Sequence, residues 1–215
     1  MGSGSKIVSV TAREIFSLRV HPGVEATVVT QDGATGVAIA TAGTSVGGQE
    51  AQFVYDEDER LLGRGVQKAV DNVNNIIGPA LKGMDATKQR EIDEVLINLD
   101  GTPDKSKLGA NATGSVSAAV LKAGAASLGI PLYQHIGGVN ACTLPVPGVL
   151  TIMGSHRYGG GERAGVKPTY SIMCYGFDSF REASYAGWRV FAEFIRVLNR
   201  KLNLQFSIEY YHKLI

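Results

Sequence analysis

The segment Leu144-Pro145-Val146-Pro147 constrains the fold of this chain more than any other feature. Each proline disfavours helical backbone in the residue before it, so the segment is predicted to be an extended linker between two structural parts. About 70 of the 215 residues follow it. We therefore predict a first domain of residues 6–140 and a second segment of residues 141–215.

Composition excludes several classes of protein. Hydrophobic residues make up 44% and charged residues 19% of the chain, as in folded globular proteins. The formal charge of +1 argues against nucleic-acid or membrane partners that are selected by bulk charge. No apolar run reaches the roughly 18 to 20 residues of a membrane span, and the amino terminus lacks a hydrophobic signal core. Cys142 and Cys174 are too few for a disulfide framework, so we expect a cytoplasmic protein.

Hydrophobic periodicity predicts an α+β first domain. Apolar and polar residues alternate between positions 6 and 39, which predicts an antiparallel sheet with a turn at Gln31-Asp32-Gly33. Apolar residues then recur at helical spacing over 66–81 and 87–99, and a third helix, rich in small residues that would allow close packing, is predicted over 111–128. We expect Asp85 or Thr87 to cap the second of these helices and Gly129 to end the third.

The second segment predicts one or two β/α units. Short apolar stretches at 148–153 and 169–175 are typical of strands, and residues 179–202 have the pattern of an amphipathic helix. A glycine-rich stretch separates the two strands, and its residues 159–161 precede basic side chains. No strand leads directly into a helix there, so we do not interpret it as a phosphate loop.

Several strings follow one another in the order and spacing of a known family. They are Ala12-Arg13-Glu14-Ile15, Leu99-Asp100-Gly101-Thr102, Lys105-Ser106-Lys107-Leu108-Gly109-Ala110-Asn111-Ala112, Pro131-Leu132-Tyr133 and Leu144-Pro145-Val146-Pro147. The series resembles the enolases, most strongly from 64 to 147. The resemblance implies an α+β enolase-like N-terminal capping domain followed by an incomplete α/β (TIM-type) barrel segment, because a full barrel takes on the order of 200 residues or more.

The resemblance also implies an activity. Enolases are lyases of glycolysis that reversibly dehydrate 2-phosphoglycerate to phosphoenolpyruvate, with two Mg²⁺ ions, and they form homodimers. For this chain it implies Mg²⁺ as cofactor, a small phosphorylated carboxylate as substrate, and no nucleic-acid or membrane partner. Glu25 occupies a position that helps form the dimer contact in the family.

Two loops carry the candidate site residues that the resemblance implies. Gly43-Thr44-Ser45-Val46-Gly47 is similar to the family's Gly-Ala-Ser-Thr-Gly loop, whose serine binds the second Mg²⁺. Ser45 is the matching metal ligand, and Gly43 and Gly47 are the expected hinges. Gly154-Ser155-His156 resembles a second loop, which implies a catalytic and substrate-binding role for His156 and substrate binding by Ser155.

The chain also departs from the family pattern. In enolases the base is a lysine, the acid a glutamate, and the main metal ligands are three carboxylates on later strands, which no segment here resembles. Val46, Ile152 and Thr169 replace family residues, and 157–167 form a basic, glycine-rich insertion. Two alternatives therefore stay open: a catalytically inactive enolase-like scaffold or binding protein, and an enolase-superfamily enzyme that acts on another carboxylate.

Overall fold

A computed structural model describes residues 4–43, 47–152, 170–203 and 205. The described residues divide into two compact units between Ala141 and Cys142. The first unit comprises 4–43 and 47–141, and the second comprises the described residues from Cys142 onward.

The predicted antiparallel sheet is confirmed in the first unit. Strands β1 (Ile7–Phe16), β2 (Pro22–Thr30) and β3 (Thr35–Thr41) pair in that order, with a turn between β2 and β3 at the predicted place. One face of the sheet has buried residues from all three strands, and along β2 and β3 these alternate with more exposed residues, which is the period-2 pattern of a half-buried strand. The buried residues include Val10, Val24, Ala26, Val28 and Ala38.

The predicted helix over 66–81 is interrupted by a π-helical turn. Helix α1 (Gln67–Asn72) is followed by a π turn (Val73–Ile77) and by α2 (Gly78–Leu81). Asn74, in the π turn, accepts a hydrogen bond from the backbone N–H of Ala12 (2.8 Å) and donates one to its carbonyl (3.2 Å). Because β1 is an edge strand, this side chain covers part of the edge of the sheet.

Helix α3 (Gln89–Asp100) confirms the second predicted helix, but its predicted cap was wrong. Lys88 occupies the N-cap position without a side-chain cap. The Asp85 carboxylate instead accepts hydrogen bonds from the N–H (3.0 Å) and hydroxyl (2.8 Å) of Thr87. Thr87 lies two residues before the helix begins, so these bonds do not cap it. The backbone of Asp85 also forms an isolated β-bridge with Lys6, just before β1, which fixes this residue outside the helix.

Helix α4 (Ala110–Ser127) confirms the third predicted helix and covers the buried face of the sheet. Its small side chains allow the backbone of β3 to approach closely at Gly36, which is buried. Gly129, with a φ of +68°, follows the end of α4, and the N–H of Ile130 donates to Ala125 (3.1 Å). This left-handed glycine is the predicted stop signal.

One short helix of the first unit was not predicted. Helix α5 (Leu132–Gly137) begins directly after Pro131, whose fixed φ suits the residue before a helix. Its six residues are too few to show a periodic apolar stripe, so sequence periodicity could not identify it.

The second unit differs from a β/α repeat in the direction of its strands. Strands β4 (Gly148–Ile152) and β5 (Tyr170–Met173) pair antiparallel, whereas consecutive strands of a β/α barrel run parallel. Helix α6 (Phe180–Leu202) follows, and its N-cap Ser179 accepts a hydrogen bond from the N–H of Glu182 (3.2 Å). The described residues of the second unit therefore form an antiparallel strand pair and a helix. They do not confirm the predicted barrel segment.

Cys142 is exposed and Cys174 is buried, and both are free thiols. Among the described residues, no helix is long and apolar enough to cross a membrane.

Candidate functional site

The predicted site residues fall mainly in two segments outside the described residues. Ser45 lies in the first of these segments, 44–46, whereas Ser155 and His156 lie in the second, 153–169. The basic insertion of residues 157–167 also lies outside the described residues. What the structure describes is how the chain enters and leaves both segments.

The chain enters the Ser45 segment from a fixed point. The last pair of the sheet joins Thr41 of β3 to Gly23 of β2. The Arg19 guanidinium then donates a hydrogen bond (3.1 Å) to the carbonyl of Ala42, which is buried. Gly43 is exposed and follows this anchored residue directly. Its position is the one a hinge would occupy.

Gly47, the second predicted hinge, lies in a small local turn. Its N–H donates to the Glu50 carboxylate (2.8 Å), and the N–H of Glu50 donates to the Gly47 carbonyl (3.1 Å). A Cβ added at Gly47 would meet only ordinary contacts, at 3.9 Å or more. The geometry therefore supplies no steric reason for a glycine at this position.

The chain is fixed again a few residues later, in an extended segment that we call the strap (residues 52–56). The N–H of Gln52 donates to the Asp104 carbonyl, and the N–H of Ala110 donates to the Gln52 carbonyl, both at 2.7 Å. Two residues on, the side chain of Asn111 at the start of α4 pairs with both backbone groups of Val54. The strap is thus attached at two successive points, at Gln52 to Asp104 of the loop before α4 and to Ala110, and at Val54 to the first turn of α4.

The last strap residue, Asp56, caps a helix that is distant in sequence. Its carboxylate accepts hydrogen bonds from the N–H groups of Gln67 (3.0 Å) and Lys68 (2.8 Å), in the first turn of α1. Its own N–H donates to the Gly65 carbonyl (2.8 Å). A carboxylate at this helix end satisfies free amides and is favoured by the helix dipole.

We expect Asp56→Ala to lower the free energy of unfolding by about 1 to 2 kcal/mol, because two N–H groups of α1 lose their acceptor. Chemical denaturation followed by circular dichroism measures this. Asp58→Ala is the matched control, since the Asp58 carboxylate accepts a hydrogen bond from the N–H of Arg60, two residues away, rather than from a helix distant in sequence. Equal stability of the two variants would contradict the capping role of Asp56.

The loop before α4 is held together by the buried carboxylate of Asp100. It accepts hydrogen bonds from the N–H groups of Leu108 (2.7 Å) and Thr102 (3.0 Å), and from the Thr102 hydroxyl. Burial would raise the pKa of Asp100, but these hydrogen bonds and the nearby charge of Lys105 hold that pKa below its usual value. The loop that receives the strap is therefore organised around an ionised carboxylate.

The chain enters and leaves the second segment through the paired strands of the second unit. Ile152 of β4 pairs with Tyr170 of β5, and the Thr151 hydroxyl donates to the Tyr170 carbonyl (3.0 Å). Residues 153–169 join these strand ends. Ser155 and His156 thus follow closely after the end of a β-strand.

Sequence reasoning did not identify the residues that anchor these segments. Arg19, Asp56 and Asn111 each bind backbone groups more than ten residues away in sequence. Asn111 belongs to a string that carries the family resemblance, but nothing in that string indicates which residue it binds. Such long-range hydrogen bonds leave no periodic pattern in the sequence around either partner.

The described residues of the first unit define an α+β domain: a small antiparallel sheet covered by helices, with a long loop held between β3 and α1. Residues 7–136 match the family model described as "Enolase, N-terminal domain". The chain belongs to the enolase family.

A curated relative supports the same assignment. An enolase of Methanopyrus kandleri is 48% identical over 185 residues, which are 85% of this chain and 42% of the relative. The chain thus spans less than half of that relative's length. The aligned stretch is longer than the match from 7 to 136, so the similarity extends beyond the N-terminal domain.

Proposed function

We propose that this chain provides the capping domain and two site loops of an enolase-type lyase that reversibly dehydrates 2-phosphoglycerate to phosphoenolpyruvate. The observation that carries the proposal is the 48% identity to an enolase over 185 residues. At this similarity the loop strings around Ser45 and His156 are best interpreted as counterparts of the family's loops. The substrate is accordingly a small phosphorylated carboxylate.

The proposed roles follow the chemistry of the reaction. Removing a weakly acidic proton beside a carboxylate creates an enediolate, whose charge Mg²⁺ stabilises when it is bound. Ser45 is proposed to donate a hydroxyl oxygen to Mg²⁺, and Ser155 and His156 to contact substrate. Gly43 and Gly47 are the proposed hinges, and the anchored carbonyl of Ala42 supports this role for Gly43.

The residues that the structure describes do not by themselves fit a magnesium site. Within those ranges, no group of three or more His, Cys, Asp or Glu side chains could hold a metal ion. Ser45 would supply one oxygen ligand, whereas Mg²⁺ takes six in near-octahedral geometry. We therefore derive no reaction step through the metal and propose Ser45 only as one of its ligands.

A homodimer and a cytoplasmic location belong to the same proposal. Glu25 lies on β2 and forms an ion pair with Arg13 of β1, with an Nε to Oε1 distance of 2.6 Å. Glu25 is largely covered while Arg13 is exposed, so the pair presents mainly the arginine to a partner. Two free thiols are consistent with a reducing compartment.

We predict that a protein of residues 1–215 alone forms no phosphoenolpyruvate, because no part of it resembles the strands that carry the family's base, acid and metal carboxylates. The measurement is the growth of enol absorbance from 2-phosphoglycerate with and without Mg²⁺. Magnesium-dependent turnover by the chain alone would show that this expectation is wrong and would place the catalytic groups within these residues.

A complementation experiment tests the proposed site. The chain is mixed with the portion of the Methanopyrus kandleri enolase that has no counterpart here, and magnesium-dependent turnover is expected. His156→Ala should then lower kcat by about a hundredfold or more, whereas the control His135→Ala, on α5, should leave it unchanged. A stable complex without turnover would favour the scaffold, and turnover of a different carboxylate would favour the superfamily alternative.

A further inference from the structure

The strongest unexplained contact of the first unit is the one between Asn111 and the strap. Asn111 is fully buried, in the first turn of α4. Its Nδ2 donates to the Val54 carbonyl (2.9 Å) and its Oδ1 accepts from the Val54 N–H (3.1 Å). One side-chain amide thereby pairs with a whole residue of backbone, as a neighbouring strand would.

The other buried polar residues at the start of α4 bond within their own helix. The Thr113 hydroxyl donates to the Gly109 carbonyl, and the Ser115 hydroxyl donates to the Ala112 carbonyl, both at 3.0 Å. Asn111 instead reaches a segment 57 residues earlier in the sequence. Burying an amide is unfavourable unless its bonds are satisfied, so this contact has a specific geometric requirement.

Gly109 provides the space for this contact. Its φ of +98° is one that side-chain-bearing residues rarely adopt. A Cβ added there would lie 2.4 Å from Asn111 Oδ1 and 3.0 Å from Val54 Cβ. Any larger residue at this position would therefore displace the amide or the strap. Gly109 and Asn111 together form the receiving surface for Val54.

The position of this contact gives it a role in the site loop. The chain is fixed at Ala42 by Arg19 and again at Gln52 and Val54. The pair of hydrogen bonds between Asn111 and Val54, which we call the clamp, therefore holds the chain shortly after the loop that carries Ser45. Backbone hydrogen bonds join Gln52 to Asp104 and to Ala110, the residue before Asn111. A shift of Val54 would therefore disturb these bonds too.

We propose that Asn111, assisted by Gly109, is a positioning residue: its amide clamp on Val54 holds the strap in place and fixes the end of the loop that carries Ser45. Its relevance to Mg²⁺ binding rests on the proposed function. The two hydrogen bonds between Asn111 and Val54 do not depend on that function, and a separate experiment tests them.

The test compares two asparagines that perform the same chemistry at different places. Asn111→Ala removes the clamp on Val54, and Asn74→Ala removes the equivalent pair of bonds to Ala12. Hydrogen exchange by NMR measures the amides of Val54, Ala12 and the buried Val28. Asn111→Ala should speed exchange at Val54 by about tenfold more than at Val28, because two bonds of the strap are lost.

Three further results decide the proposal. Asn74→Ala should speed exchange at Ala12 and leave Val54 unchanged relative to Val28. Asn111→Asp keeps an acceptor for the Val54 N–H but loses the donor, so it should restore part of the protection. Cleavage by a glutamate-specific protease at Glu50 should be faster in Asn111→Ala than in Asn74→Ala. Equal acceleration at Val54 and Val28 in Asn111→Ala would overturn the proposal, since it would indicate only a loss of global stability.

A magnesium titration separates this inference from the proposed function. Mg²⁺ is added to the chain mixed with the complementing portion of the Methanopyrus kandleri enolase, which is expected to supply the other metal ligands, and exchange of the 43–51 amides is followed. Absence of any magnesium-dependent change contradicts the metal role proposed for Ser45 and leaves the Val54 result to decide the clamp. If Mg²⁺ does protect these amides, Asn111→Ala should raise the required Mg²⁺ concentration several-fold while Asn74→Ala does not.

Discussion

Replacing Gly36 by alanine is expected to lower the free energy of unfolding by about 3 kcal/mol. Gly36 lies on β3 where the sheet touches α4, and an added Cβ would lie 2.0 Å from the Ala119 carbonyl oxygen and 2.4 Å from the Ala123 nitrogen. Both are backbone atoms of α4, so no side-chain rotation can relieve the clash. The helix must move away from the sheet. We therefore expect a loss of stability near the upper end of the range that is typical of overpacked cores.

Gly114→Ala is the matched control for this variant. Gly114 lies on the exposed side of the same helix, and nothing lies within 4 Å of the added Cβ. The substitution should raise stability by about 0.5 to 1 kcal/mol, because glycine is a poor helix former. Denaturation in urea measures both variants. An unchanged midpoint for Gly36→Ala would show that α4 can shift without cost, which would contradict the close packing.

Replacing Asp100 by alanine is the second change with a large expected effect. The carboxylate is buried and accepts hydrogen bonds from Leu108, Thr102 and the Thr102 hydroxyl. Removing it leaves the buried N–H of Leu108 without this acceptor and releases the loop before α4. Hydrogen bonds to charged groups contribute more than neutral ones, so we expect a loss of about 3 kcal/mol. The strap should lose protection as well, since it is attached to this loop.

The pH dependence of stability tests the same carboxylate. The pKa of Asp100 lies below its usual value in the folded chain despite burial, owing to the hydrogen bonds from Thr102 and Leu108 and the charge of Lys105. A lowered folded pKa means that this contribution is present above the unfolded pKa of about 3.9. It is lost as the pH falls from about 4 through the folded pKa.

Asp100→Asn should therefore flatten the acid side of the stability profile relative to the unmodified chain. The pKa of Glu14 is also lowered, mainly by its ion pair with Arg60, so part of the acid dependence will remain. Asp71→Asn, which removes an exposed carboxylate on α1, controls for the change in net charge. An identical acid profile for Asp100→Asn and the unmodified chain would contradict the role assigned to Asp100.

Much of the first unit could be predicted from local sequence patterns. Alternation between residues 6 and 39 identified the sheet, and buried residues occupy every second position from Val24 to Thr30 of β2 and at Gly36 and Ala38 of β3. An apolar stripe identified α3 and a stretch of small residues identified α4, and Gly129 marked the end of α4 because a left-handed backbone there favours glycine. Family strings predicted the assignment that the match over 7–136 confirms. Each of these signals lies within a few neighbouring residues.

The candidate site could be predicted only as loop strings. Ser45, Ser155 and His156 were identified by resemblance and remain predictions. Gly43 was proposed as a hinge from the family resemblance and remains a prediction, whereas the anchor that Arg19 provides at the preceding carbonyl could not be predicted. The antiparallel direction of β4 and β5 was also not predicted, because an apolar run indicates a strand without indicating its partner.

Local patterns in the sequence were enough to predict most helices and strands, since periodicity and glycine stops depend on neighbouring residues. Where the chain is held between those elements depends on how they pack. Asp56 caps α1 and Asn111 holds Val54 through hydrogen bonds that join backbone groups far apart in sequence. An amide or carboxylate finds such a partner only after helices and strands have packed, so the residue type shows what it can bind but not where.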